Sequence, residues 1–127
     1  MTDTLGLTSF RSEMAQWLAE GLPDNIGVFD AIPDSIAPPA VYVTWGSPML
    51  VQTTFCEFTS ALQLIVVAQR IEPGGQYSVL ESMLSQIVSV LRKNRIALRD
   101  VTPPYPLVMA GINYLACSVN IIQDMGE

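Results

Sequence analysis

Histidine is absent from this 127-residue chain, and cysteine is limited to Cys56 and Cys117. Without imidazole there is no partner base to activate a serine or thiol nucleophile, and the two cysteines lack the spacing of a metal site. Each sits in a strand-like run, so both are expected to be buried free thiols. Charge is scarce as well. Only 14% of residues are charged, and six Lys and Arg face twelve Asp and Glu, for a net charge of −6. That balance argues against nucleic-acid binding, which rests on neutralising phosphates with basic side chains. Four basic residues do cluster, Arg92, Lys93, Arg95 and Arg99. No aromatic is interleaved among them, and the first three suit the carboxyl end of a helix.

Long membrane-type apolar helices are missing too. Residues 35–56 and 101–123 carry no charge, but prolines and polar residues interrupt both. The opening MTDTLGLTSF has no basic stretch leading into an apolar one, so no signal peptide is expected. The expected setting is a soluble, reducing compartment.

What remains is apolar. Half the residues are hydrophobic, which excludes disorder and suits one domain spanning residues 1–127. A small body has much surface to cover with few charges, so part of the apolar area is expected to meet another chain.

Leu7, Phe10, Met14, Trp17 and Leu18 recur at helical spacing, with Thr4 or Thr8 as candidate caps and Gly21 and Pro23 as stops. Residues 26–29 predict a short strand. The following Asp30-Ala-Ile-Pro-Asp34 and Pro38-Pro39 predict a non-helical loop. Residues 40–45 then predict a strand that ends at Gly46-Ser47-Pro48.

The run from residue 55 to residue 70 is free of Pro and Gly. Extended, it would reach roughly 50 Å. A compact domain of this length is only about 36 Å across. The run therefore predicts a hairpin arm or long loop over residues 49–60 that projects beyond the core, with a mid-run kink or bulge as the alternative.

Pro73-Gly74-Gly75 marks a flexible turn and is a poor match to any phosphate-binding motif. Tyr77, Leu80, Leu84, Ile87, Val88 and Leu91 trace a second helix ending near Lys93-Asn94. Residues 96–101 predict a short edge strand, and Pro103-Pro104-Tyr105-Pro106 disfavours regular structure. A strand over 107–109 is interrupted at Gly111. Leu115, Cys117, Val119 and Ile121 then line one face of a last strand ending near Gln123. The pattern predicts an α+β domain of about four mostly antiparallel strands, with two helices packed on the sheet and a projecting hairpin or loop.

Candidate chemistry is thin. Asp30 and Asp34 share a loop, and Glu57 could add a carboxylate, but Asp and Pro are common in turns for backbone reasons. Ser78, Ser82, Ser85 and Ser89 repeat along the second helix as a small polar face. Trp17 fits the core, whereas Trp45 fits either core or interface, its place at the entrance to a turn favouring the interface. No catalytic, cofactor-binding or metal-ligating residue is assigned. The candidate interface residues are Trp45, Met49, Leu50, Val51, Phe55 and Phe58.

The order of elements resembles a known family. Its matching parts are the opening amphipathic helix, the strand led by Pro38-Pro39-Ala40-Val41-Tyr42-Val43, the long strand over 61–68, the helix over 77–91 behind its Gly pair, and Gly111-Ile112-Asn113-Tyr114-Leu115-Ala116. This layout is similar to the tail-terminator, or tail-completion, proteins of long-tailed bacteriophages, such as the minor tail protein U of lambda-like phages. The resemblance spans nearly the whole chain and rests on layout, with no short diagnostic motif.

It implies a non-enzymatic structural virion protein that needs no cofactor. Identical copies would form a hexameric ring at the head-proximal end of the tail. The ring would end polymerisation of the tail tube protein and offer a docking face to the head-completion or neck protein. DNA would pass through without specific binding, no membrane would be involved, and assembly would take place in the host cytoplasm. A head–tail connector or neck protein of the same virion is the neighbouring alternative. A small-ligand or peptide module on the sheet, or an enzyme using Asp30, Asp34 or Glu57, are the others.

Overall fold

The computed structural model describes residues 6–55, 57–71 and 77–126. Thr4, Cys56, Glu72 and the Pro73-Gly74-Gly75 turn lie outside the described residues, as does the proposed capping by Thr4.

Helix α1 spans Leu7–Gly21 and buries Phe10, Met14 and Leu18, one residue per turn on a single face. Trp17 packs partly buried at the edge of the same core. The cap differs from expectation. Gly6 holds the N-cap position at φ 75°, and its carbonyl accepts from the Phe10 amide at 2.8 Å. Thr8 lies inside the first turn. Leu22 turns extended after Gly21 and ends the helix, its amide still bonded to the Leu18 carbonyl at 2.9 Å.

Strand β1 (Gly27–Phe29) pairs in parallel with the start of β2 (Ala40–Thr54), and β2 forms a long antiparallel hairpin with β3 (Glu57–Arg70). Helix α2 spans Ser78–Lys93 and buries Leu80, Met83, Ile87, Val90 and Leu91. Met83 and Val90 therefore take places that the sequence pattern gave to Tyr77 and Val88, and Tyr77 is exposed. Arg92 and Lys93 do lie in the last turn, where they complement the helix dipole.

Strands β4 (Ala97–Val101), β5 (Tyr105–Met109) and β6 (Ile112–Gly126) complete a six-stranded mixed sheet ordered β1-β2-β3-β6-β4, with β5 also paired to β6. The expected count of four was too low. The short strands expected over 26–29, 96–101 and 107–109 all join the one sheet, and the last begins two residues earlier, inside the proline-rich segment. Pro106 is accommodated in β5 because β5 is an edge strand, where a missing N–H need not break a ladder. Ala110 and Gly111 both have positive φ, 52° and 77°, and close the β5–β6 hairpin with a two-residue turn.

Between β4 and β5 the chain stays attached to β6. The Thr102 amide donates to the Ser118 carbonyl, and the Ser118 amide donates to Thr102 Oγ1, both at 2.9 Å. β4 and β5 thus act as one interrupted edge strand.

Both helices cover one sheet face. There Phe10, Met14, Leu18, Val41, Val43, Leu62, Leu64, Val66, Ile87, Cys117, Val119 and Ile121 form the main core. The alternation expected for β6 is observed, and Leu62, Leu64, Val66 and Ala68 of β3 alternate in the same way, because a period of two places every second residue under the helices. The opposite face carries a smaller cluster of Ile36, Ala40, Tyr42, Ile65, Val67, Tyr114 and Ala116. The loop after β1 covers that cluster, held where Tyr114 Oη donates to the Ile36 carbonyl at 3.1 Å.

Candidate functional site

The sheet does not end where the helices end. Gly46-Ser47-Pro48 was expected to terminate a strand, but β2 passes through it as a bulge. Trp45 pairs with Leu62, and the next registered pair is Leu50 with Ser60, so β2 carries extra residues opposite Ala61. Gly46 permits this, since a Cβ there would lie 2.8 Å from the Ala61 Cβ. Pro48 needs no ladder donor within a bulge. The buried Ser60 hydroxyl donates to the Met49 carbonyl at 3.1 Å and satisfies the group that the bulge displaces.

Beyond the bulge, residues 50–54 and 57–60 continue the hairpin, and β6 runs beside it further than expected, pairing Gln123 through Gly126 with Ser60 through Glu57. The arm is therefore three-stranded. β6 ends at Gly126 and not near Gln123, because the polar edge of β3 supplies a ladder for it.

Exposure climbs along this arm. Ala40 to Val43 are buried, Met49 and Val51 are about two-fifths exposed, and Phe55 at the tip is 92% exposed. The six candidate interface residues are not one patch. Leu50 shares the helix-side face with Phe58, which packs partly buried against the main core, while Val51 pairs with Thr59 on the other face. Trp45 also packs partly against the core. Met49, Val51 and Phe55 carry the free apolar surface.

A second feature was not legible in the sequence. β1 is so short that β2 has no strand on its outer side past Tyr42 among the described residues. A notch of about 340 Å³ opens there, lined by Arg11, Asp30, Ala31, Ile32, Val43, Thr44 and Trp45. Arg11 Nη1 donates to the Asp30 carbonyl at 2.6 Å and lies 3.6 Å from its carboxylate, which fixes the loop as the rim of the notch. Ile32 stands on that rim 63% exposed. It belongs to no periodic run, so no pattern could have flagged it.

Asp30, Asp34 and Glu57 are all exposed, and the structure does not bring them together around a pocket. Among the described residues no group of three or more His, Cys, Asp and Glu is placed to hold a metal ion. Nor is any helix among them long and apolar enough to cross a membrane. Cys117 is a free, buried thiol, and burial pushes its pKa up to about 11. Cys56, expected to match it, lies outside the described residues. Tyr42, buried on the second face beside Tyr105, has its pKa raised, chiefly by desolvation.

These elements define an α+β protein: two helices on one face of a mixed six-stranded sheet, with a three-stranded arm extending from it. No protein-family model matches the chain, and no curated protein matches it. Among solved structures it is similar to the bacteriophage SPP1 gp17 protein, with 14% identity over 91% of this chain and 87% of that one, at a TM-score of 0.45.

Proposed function

We propose that this chain is a structural virion protein, a tail terminator. Identical copies close into a ring, six by the family resemblance, on the head-proximal end of the tail tube. The ring ends tube polymerisation and presents its other face to the neck. It has no catalytic role and needs no cofactor, and DNA passes through it without specific contacts.

The observation that carries this reading is the arm. Apolar Met49, Val51 and Phe55 lie on a three-stranded ribbon, where Met49 and Val51 stay about two-fifths exposed and Phe55 is 92% exposed. Exposed apolar surface of this kind marks an interaction site, and rings are built from heterologous contacts. The scattered, solvent-exposed Asp30, Asp34 and Glu57 support a non-catalytic reading, since acid–base work needs a carboxylate held in a pocket.

Native mass measurement over a concentration series, with and without polymerised tube protein, tests the proposal. Rings that bind tube ends and stop their growth are expected. Rings that ignore tube protein but bind the neck would move the chain to the connector position. A strict monomer at every concentration that binds neither partner ends the proposal.

A further inference from the structure

Resting on the ring reading, we propose that the ring closes edge to edge: the free β2 edge and its notch receive the β4 edge of the next copy. Three independent observations converge on this pairing.

Charge is the first. The chain is strongly acidic, and apart from Arg11, which pairs with Asp30, the charges near its two sheet edges differ in sign. Glu13, Glu20, Asp24, Asp30 and Asp34 belong to α1, to the turn before β1 and to the loop after it. Arg92, Lys93, Arg95 and Arg99 belong to the end of α2 and to β4, at the opposite edge of the sheet. Asp100 in β4 pairs with Arg99 at 3.7 Å and with Asn120 Nδ2, so Arg92, Lys93 and Arg95 supply the net positive charge of this edge. A subunit with opposite signs on opposite edges attracts a like-oriented neighbour and repels one that presents the same edge.

Strand direction is the second. β2 is antiparallel to β3, β3 to β6, and β6 to β4, so β2 and β4 run in opposite directions. Copies related by rotation about an axis along the strands therefore bring β2 beside β4 in antiparallel orientation. Unpaired amides and carbonyls on an edge strand are a ready template for such contact. Across the sheet, Val43, Thr44 and Trp45 of the free β2 edge lie level with Val101, Asp100 and Leu98 of β4, so a rotated copy brings these two stretches together.

The third observation is apolar matching. Trp45, Leu62, Ile121 and Leu98 form one row across the sheet, so the notch and Leu98 sit at the same level on opposite edges. Leu98 is 42% exposed although its row faces the helices, and Ile32 stands exposed on the notch rim. Each supplies the apolar contact that the other lacks.

The test uses two full-length variants, Leu98→Asp and Ile32→Asp, each checked by circular dichroism melting against the wild type. Alone, each is expected to lose the ring seen for the wild type under the same conditions. Mixed, they are expected to form a 1:1 dimer and nothing larger. The Leu98→Asp copy keeps a working notch, the Ile32→Asp copy keeps a working β4 edge, and only one interface can form. The double variant Arg95→Glu/Arg99→Glu is expected to replace Leu98→Asp in this mixture with the same result. Rings that persist in either apolar variant, or folded variants that stay monomeric when mixed, overturn the edge pairing while leaving ring formation intact. A wild type that never assembles overturns both.

Discussion

Ser60 and Met49 are tied across the β2–β3 hairpin by a hydroxyl-to-carbonyl hydrogen bond of 3.1 Å, with Ser60 fully buried. The pair anchors the bulge from which the arm departs. Ser60→Ala leaves the Met49 carbonyl without that donor and is expected to cost about 1–2 kcal/mol of stability in urea unfolding. Ring assembly should weaken in parallel, because the arm angle is set at this point. An unchanged midpoint would show that the bulge is held by its backbone alone.

Gly21 at the end of α1 lies against Val90 of α2. A Cβ on Gly21 would lie 2.5 Å from Val90 Cγ2, and a β-branched side chain on a helix has little freedom to move away. Gly21→Ala gains about 1 kcal/mol in helix propensity. Overpacking costs about 1–3 kcal/mol and is expected to outweigh it. In a Val90→Ala background the same substitution should become stabilising, a change of sign that a double-mutant cycle detects.

Ala110 occupies a left-handed position at φ 52° in the β5–β6 turn. An L-residue with a Cβ is strained there, whereas Asn-Gly suits this turn type. Ala110→Asn is expected to raise stability by about 1 kcal/mol. Ala110→Val should lower it, and a thermal melt of both variants separates the two directions.

Cys117 is wholly buried, and its folded pKa of about 11 lies above the ordinary thiol value of 9.0. Between those values the folded state holds a proton that the unfolded state has released, so unfolding gains on folding as pH rises. The thiol's contribution is full below pH 9 and is expected to be lost as pH climbs through about 11. In a Cys56→Ser background, a thiol reagent should label Cys117 only as fast as the protein opens. Rapid labelling under native conditions would contradict the burial.

Met49 and Phe55 touch solvent on the arm, so Met49→Ser/Phe55→Ser should alter stability by no more than about 0.5 kcal/mol. Binding to tube protein should nevertheless fall sharply. The contrast between an unchanged melt and lost association is the readout, and retained binding would remove the arm from the interface.

Much of this architecture follows from periodicity. Phe10, Met14 and Leu18 recur at helical spacing, and Leu115, Cys117, Val119 and Ile121 alternate, because burial on one side of an element imposes its repeat on the chain. The reach of residues 55–70 exceeded a compact body, and the structure places the start of that run on the exposed arm and residues 61–68 in the sheet core. Local signals failed where a distant partner overruled them. Gly46-Ser47-Pro48 carries the marks of a strand end, yet Ala61 and Ser60 across the hairpin turn it into a bulge. Pro106 enters a strand because only one side of β5 is paired.

Composition and spacing by themselves determined an α+β domain with two amphipathic helices, a long β ribbon and no histidine-based chemistry. Those properties depend on residues close in sequence. Only the tertiary structure decided that β1 pairs with β2, that β2 is left with a bare edge past Tyr42 among the described residues, and that Ile32 and Leu98 stand exposed at opposite margins. Strand order and edge identity arise from pairings between segments far apart in the chain, such as Gln63 with Asn120, and no local pattern encodes which partner a strand will take.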